Sequence, residues 1–381
     1  GKLLIWSTCP KVVFSLLGAN LPIVNVSKHF LHINMRVTVE SSVIMPSRRI
    51  LMALIELKGI YKSFRQKKGD VTILRDINLS IGQGETYCVV GESGCGKTTL
   101  GRILAGLAPY SDGSYKYDGM EVSGLDGDDW KRFRNEVQMI HQNPYESLNP
   151  SMMVFDMIAY PMKKHYGIKD HKELYDKVCS LLELVGLTPV EDFVDKYPST
   201  LSGGQRQRVS IARILAVEPK FIVVDEATSM IDTSLRISLL RTLKEIQEKL
   251  NVTYFFITHD LALGRYFASG HKMMIMYLGR IVELGETDSI IKNPIHPYTR
   301  AILTAAKGNS GILEEKEVDR YELKGVDIPS FSSIPSGCPL HPRCPECKPG
   351  LCDSSLPSLV SLGNEHFVSC LRRDGKKRKS Y

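Results

Sequence analysis

The chain has 381 residues, 43% hydrophobic and 24% charged, which excludes a disordered or fibrous protein and leaves room for one large domain with appendages or for two. The net charge of +7 belongs to the ends: residues 1–51 carry six basic side chains against Glu40, and residues 371–381 carry six against Asp374, so the body between is slightly acidic and nucleic acid is not an expected partner. No apolar run reaches the roughly 20 residues of a membrane crossing; the best, 12–27, is interrupted by Asn20, Pro22 and Asn25.

Residues 1–51 lack helical or strand periodicity and read as an unassigned N-terminal extension, with Met52-Ala53-Leu54-Ile55-Glu56-Leu57 opening a compact domain. Short β runs follow at 55–57, 73–81 and 86–90, the last two joined by the turn Gly82-Gln83-Gly84-Glu85. Next come Gly91-Glu92-Ser93-Gly94-Cys95-Gly96-Lys97-Thr98-Thr99 and a helix over 100–107. Residues 150–215 are mainly helical, most clearly at 172–187. Phe221-Ile222-Val223-Val224-Asp225 reads as a buried parallel strand ending in a carboxylate, 237–250 as a helix, and 253–258 as a buried strand ending at His259. A final β pair is expected at 272–277 and 281–284, around Leu278-Gly279-Arg280. Strands alternating with helices predict an α/β sheet, with the helical stretch inserted between its halves. Beyond about 286 the chain turns rich in Pro and Ser, and five of nine cysteines (Cys338, Cys344, Cys347, Cys352, Cys370) crowd near its end. In a chain with a nucleotide loop, such clustering points to metal rather than to disulfides.

The glycine loop is a Walker A sequence in its expected strand–loop–helix setting. Gly91, Ser93, Gly94, Cys95 and Gly96, with Lys97, Thr98 and Thr99 at the helix start, are the candidate phosphate ligands, because backbone N–H groups at a helix N-terminus present positive character. Lys97 is expected to reach the β- and γ-phosphates and Thr98 to ligate Mg2+. Asp225, delivered to the sheet edge by four apolar residues, is the second Mg2+ candidate, and Glu226 the candidate general base.

At Leu201-Ser202-Gly203-Gly204-Gln205 the sequence resembles the signature of the ABC ATPase family. The resemblance covers about 54–310 and implies a P-loop NTPase core over 52–285, an inserted helical subdomain at about 143–215, and a small cysteine-rich C-terminal extension over 286–381. It implies that Ser202, Gly203, Gly204 and Gln205 bind the γ-phosphate of ATP held by an opposite subunit. It gives Gln142 a role in sensing Mg2+ and coupling to a membrane partner, and His259 contact with the γ-phosphate. Ser229-Met230-Ile231-Asp232 matches the loop that crosses the dimer interface; Met230-Ile231 stands where the family more often has Ala-Leu, and Asp232 is intact. Phe64, with Tyr61 as alternative, matches the aromatic that stacks on adenine.

Two further stretches, 141–150 and 293–300, resemble the peptide and nickel importer subfamily, and 337–370 resembles the C-terminal segment of oligopeptide and dipeptide importer ATPases. That resemblance implies a [4Fe-4S] cluster on Cys338, Cys344, Cys352 and Cys370; Zn2+ suits the same four thiolates. Cys347 is a fifth cysteine and a possible substitute, and the spacing from Cys344 to Cys352 is one longer than the family's. The expected protein is a peripheral ATPase at the cytoplasmic face of the cell membrane. Its expected partners are a homologous ATPase subunit in a heterodimer rather than a homodimer, two transmembrane permease subunits and an extracellular substrate-binding protein. The alternatives are the motor of a nickel or oligosaccharide importer, a soluble ABC ATPase, and a nucleotide-binding regulator without turnover, which intact Glu226 opposes.

Overall fold

The computed structural model describes residues 53–374 except 68, 144–146, 229–232, 311–320 and 326. The extension before residue 52, the basic tail from 375, the interface-loop candidate Asp232 and the middle of the 141–150 stretch therefore lie outside the described residues.

The strands are β1 (Ile55–Gln66), β2 (Gly69–Ile81), β3 (Thr86–Val90), β4 (Asp112–Tyr117), β5 (Met120–Glu121), β6 (Val137–Ile140), β7 (Phe221–Asp225), β8 (Thr253–Thr258), β9 (Lys272–Tyr277), β10 (Arg280–Glu286), β11 (Val360–Gly363) and β12 (His366–Val368). They form two sheets, a four-stranded one in the order β2-β1-β4-β5 and an eight-stranded one in the order β11-β12-β10-β9-β3-β8-β7-β6. The centre of the larger sheet is parallel: β3 pairs in parallel with β8 and β9, and β7 with β6 and β8. Its strands are continuous apolar runs because both faces are covered, and every residue of β3, β7 and β8 is buried.

The α-helices among the described residues, in chain order, are α1 (Lys97–Leu104), α2 (Gly127–Glu136), α3 (Val154–Tyr166), α4 (His171–Leu184), α5 (Gly203–Leu215), α6 (Thr233–Leu250), α7 (Leu261–Ala268), α8 (Thr287–Lys292), α9 (Pro297–Ser310) and α10 (Leu371–Asp374). Alternate residues of the central strands feed two cores. Tyr87, Val89, Val223, Phe255 and Ile257 pack with Leu100 and Ile103 of α1 and with Leu57, Ile77 and Tyr115 of the smaller sheet. Cys88, Val90, Val224 and Phe256 face the other way, into a core shared with Met157, Val178, Val209 and Leu240 of α3 to α6. Period-two alternation thus joins one sheet to both layers.

Two expectations about strands are corrected. β1 and β2 run on as an antiparallel ribbon to the pair Gln66–Gly69, well beyond 55–57 and ahead of residue 73. That end is exposed on both sides, so its polar sequence carries no apolar alternation. The sheet also does not stop at β9 and β10: β12 pairs with β10 through Glu283–Val368 and Leu284–Phe367, and β11 with β12. These two strands of four and three residues are too short for a periodic signal.

Candidate functional site

The chemistry-bearing residues gather where the parallel strands end. β3 delivers Gly91, β7 delivers Asp225 and Glu226, β8 delivers His259, and Gln142 lies two residues past β6. Gly91 can be nothing larger, because a Cβ there would lie 2.3 Å from the carbonyl oxygen of Met276. Gly96 caps α1 with φ of 107°, a left-handed conformation that favours glycine. Lys97 is buried, and its Nζ donates to the carbonyl oxygens of Gly91 at 2.7 Å and Glu92 at 3.0 Å. Cys95 is buried beneath the loop, with Sγ 4.0 Å from the same Nζ.

Thr98 Oγ1 donates to Asp225 Oδ1 at 3.0 Å, so the two Mg2+ candidates meet. Burial raises the Asp225 carboxyl above its ordinary pKa, the Thr98 bond opposes this, and the Glu226 charge adds to it. Hard oxygen donors side by side on a buried edge suit Mg2+. Glu226 adopts φ of 46° while its N–H donates to Ile257 O at 3.1 Å. Its Oε2 accepts from Gln142 Nε2 at 3.4 Å and lies 3.3 Å from His259 Nδ1. The structure therefore brings Lys97, Thr98, Asp225, Glu226, Gln142 and His259 to one edge. The signature stands apart on α5, where Ser202 and Gln205 form a reciprocal cap: Ser202 Oγ accepts from Gln205 N at 3.3 Å, and Gln205 Oε1 accepts from Ser202 N at 2.9 Å. Ser202 is exposed and Gly203 to Gln205 are half-buried. Phe64 is exposed on β1, with Lys62 Nζ 4.8 Å from its ring centre.

The model of the ABC transporter family matches residues 74–229, and that of the oligopeptide/dipeptide transporter C-terminal region matches 282–352. The putative oligopeptide transport ATP-binding protein YkfD of Bacillus subtilis is 41% identical over 320 residues, covering 84% of this chain and 95% of its own. The oligopeptide transport ATP-binding protein OppF of Escherichia coli is 36% identical over 333 residues, covering 86% and 97%. The chain belongs to the ABC transporter family of ATP-binding proteins. Among solved structures, the dimeric bacterial ABC transporter cassette MJ0796 superposes with a TM-score of 0.56 at 27% identity, over 61% of this chain and 98% of that one. As a member of the family, this ABC ATPase binds Mg-ATP and couples its hydrolysis to transport.

The C-terminal cysteines of the ATPase lie near one another in part. Cys338, Cys344, Cys352 and Cys370 line one cavity together with His296 and His341, and Cys347 is not among the lining residues. Burial pushes the Cys338 thiol up to about 11 and the Cys344 thiol up to about 12. Among the described residues, however, no three or more His, Cys, Asp or Glu side chains are disposed to hold a metal ion. No described helix is long and apolar enough to cross a membrane.

Sequence reasoning missed three side chains at this site. Tyr298 OH accepts the N–H of Glu92 at 2.9 Å, Arg343 donates to the Glu92 carboxylate, and Tyr277 joins both. Tyr298 falls in the 293–300 stretch that marks the subfamily, but nothing in that stretch says what it touches. Arg343 lies 251 positions from Glu92, beyond the reach of any local pattern.

Proposed function

We propose that this ABC ATPase drives import of di- or oligopeptides. The observation that carries the reading is the convergence of Gln142, Glu226 and His259 beside the Thr98–Asp225 pair, in a chain whose 282–352 stretch matches the oligopeptide/dipeptide transporter C-terminal region. Mg2+, when bound, would neutralise the charge that develops on the phosphates. Thr98 and Asp225 would hold the metal, and backbone N–H groups of Gly91, Ser93, Gly94, Cys95, Gly96, Lys97, Thr98 and Thr99 orient the phosphates. Lys97, now on its own loop's carbonyls, turns to the β- and γ-phosphates. Glu226 takes a proton from the attacking water, and its neighbours Gln142 and His259 keep the carboxylate aimed at that water. Phe64 stacks on adenine. Ser202 to Gln205 meet the nucleotide of a partner subunit, and Asp232 crosses to that partner. The outward-facing cap at Ser202 supports this reading.

The helices of 143–215 form the subdomain that meets the permease, and 286–381 form the extension that distinguishes peptide-type motors. The partner ATPase is a homologous chain rather than a second copy, and the pair sits peripherally on the cytoplasmic face, served by two permease subunits and an external binding protein. Cys338, Cys344, Cys352 and Cys370 are the candidate thiolates of a [4Fe-4S] cluster, or of Zn2+, and their shared cavity supports that choice over Cys347. Taking on a metal there requires the thiols to deprotonate and draw together.

The test is uptake in vesicles containing the assembled complex and its binding protein, with an oligopeptide, a nickel chelate or an oligosaccharide offered in turn. ATP-dependent peptide uptake is expected; uptake of nickel or sugar alone reassigns the cargo. Failure to co-purify with polytopic subunits favours the soluble reading. Iron and acid-labile sulfide, against zinc, in anaerobically purified protein decides the metal.

A further inference from the structure

The phosphate loop contains a negative charge. Glu92 is its second residue, and the Glu92 carbonyl accepts from Lys97, the side chain on which phosphate binding depends. A free carboxylate at this position repels the phosphates and competes for Lys97. Here the carboxylate is instead drawn away by two parallel bonds, from Arg343 Nη1 to Oε2 and from Arg343 Nη2 to Oε1, both 3.0 Å. Such paired geometry is the strong form of a charge-assisted hydrogen bond. The Arg343 side chain is 7% exposed and the Glu92 side chain 25%, so water screens the pair little.

Arg343 is itself fixed from several directions. Its Nε donates to Gly325 O at 3.1 Å, its Nη1 to Tyr277 OH at 3.3 Å, and its backbone carbonyl accepts from Lys324 N at 2.8 Å. The Tyr277 ring lies against Tyr298, tilted by 50° with centroids 4.8 Å apart, and Tyr298 OH takes the Glu92 N–H. Backbone and carboxylate of one loop residue are thus both held by residues beyond 276. The loop that carries Arg343 begins at Cys338 and ends at Cys344, so the Arg343 side chain links the cysteine-rich segment to the phosphate loop.

We propose that Arg343 is a positioning residue for ATP: it neutralises Glu92 and holds its carboxylate off the phosphates, which ties nucleotide affinity to the C-terminal segment. Arg343 touches no substrate in this account. The inference rests on ATP occupying the Walker A loop.

The full-length protein is titrated with a fluorescent ATP analogue, and thermal unfolding is followed alongside. Arg343→Met is expected to weaken binding about tenfold, or about 1.4 kcal/mol, and to raise the KM for ATP more than it lowers kcat. Adding Glu92→Gln to that variant restores affinity to within roughly threefold, since the harmful charge is gone, although the segment remains unclamped. Glu92→Gln alone binds ATP as tightly as wild type or more tightly, and it keeps the test open should Arg343→Met fail to fold. A role that only staples the segment in place predicts the opposite, with the double variant as weak as the single one. Wild-type affinity in Arg343→Met, no rescue in the double variant, or a large loss in Glu92→Gln overturns the proposal. A wild-type chain that binds no ATP overturns the functional reading instead.

Discussion

The phosphate loop is held from two sides, and the two sides work differently. On the core side the contacts are with backbone carbonyls: Gly91 abuts Met276 O, and Lys97 folds onto carbonyls five and six residues away. On the C-terminal side they are side chains from far along the chain, Tyr298 on the Glu92 N–H and Arg343 on its carboxylate. Backbone contacts of the first kind leave no room for substitution. Side-chain contacts of the second kind can be weakened by degrees, and so can be tuned without altering the loop's own sequence.

The largest effect expected lies at the edge both sides serve. Glu226→Gln keeps the shape of the side chain and its Gln142 and His259 neighbours but removes the base, so phosphate release by the assembled complex falls by at least about 100-fold. ATP binding persists, because Glu226 is not among the phosphate ligands. Undiminished turnover, with the partner subunit's site also disabled, assigns the base elsewhere.

The core side is probed next, by a pair of glycines. Gly91→Ala places a Cβ 2.3 Å from a backbone carbonyl that cannot move without shifting β9, and ATP affinity is expected to fall about tenfold or more. Gly94→Ala meets nothing within 4 Å and only strains a residue with φ of 76°, at a cost of roughly 1–2 kcal/mol in stability. Equal losses of affinity in the two variants would mean that loop conformation, not contact with Met276, is what matters. A milder effect belongs to the other side: Tyr298→Phe orphans the Glu92 N–H, and a penalty of about 1 kcal/mol predicts a loss of affinity of a few-fold in the same titration.

This division also explains what the sequence could reveal. Asp225, Glu226 and His259 were legible because each lies at or just past the end of a contiguous apolar strand, and Lys97 and Thr98 because they open the helix that follows the glycine loop. β7, β8 and β9 were legible to the residue because burial on both faces demands unbroken apolar runs. The β1–β2 ribbon end was not, since solvent on both sides removes the alternation on which strand reading depends. β11 and β12 gain their place by pairing with β10, a long-range event without local signature. The Arg343–Glu92 pair is the extreme case: an arginine among prolines and a glutamate among glycines carry no mark of each other. The cysteines were recognisable as a group, and their common cavity is consistent with that, yet composition does not fix how close the sulfurs stand.

The smallest effect comes from a carboxylate that resembles Glu92 in its partners and differs in its surroundings. Glu136 accepts from Arg132 Nε at 3.2 Å, Lys220 Nζ at 2.8 Å and Tyr117 OH at 2.8 Å. Burial pushes its pKa up, but the Lys220, Tyr117 and Arg132 bonds outweigh that and hold it below the ordinary value. Arg132 and Lys220 are 42% and 38% exposed, against 7% for Arg343, so solvent screens this network. Glu136→Gln is therefore expected to cost no more than about 1 kcal/mol of stability at neutral pH. With the folded pKa depressed, this contribution is present in full above the unfolded carboxyl's value and disappears as pH falls through the folded one. Urea unfolding of wild type and variant should accordingly converge in acid, once the pH has fallen below the depressed carboxyl's own range. A gap that persists there assigns the stabilisation to packing and to the Tyr117 bond rather than to charge, and sets the exposed network further apart from the buried clamp on Glu92.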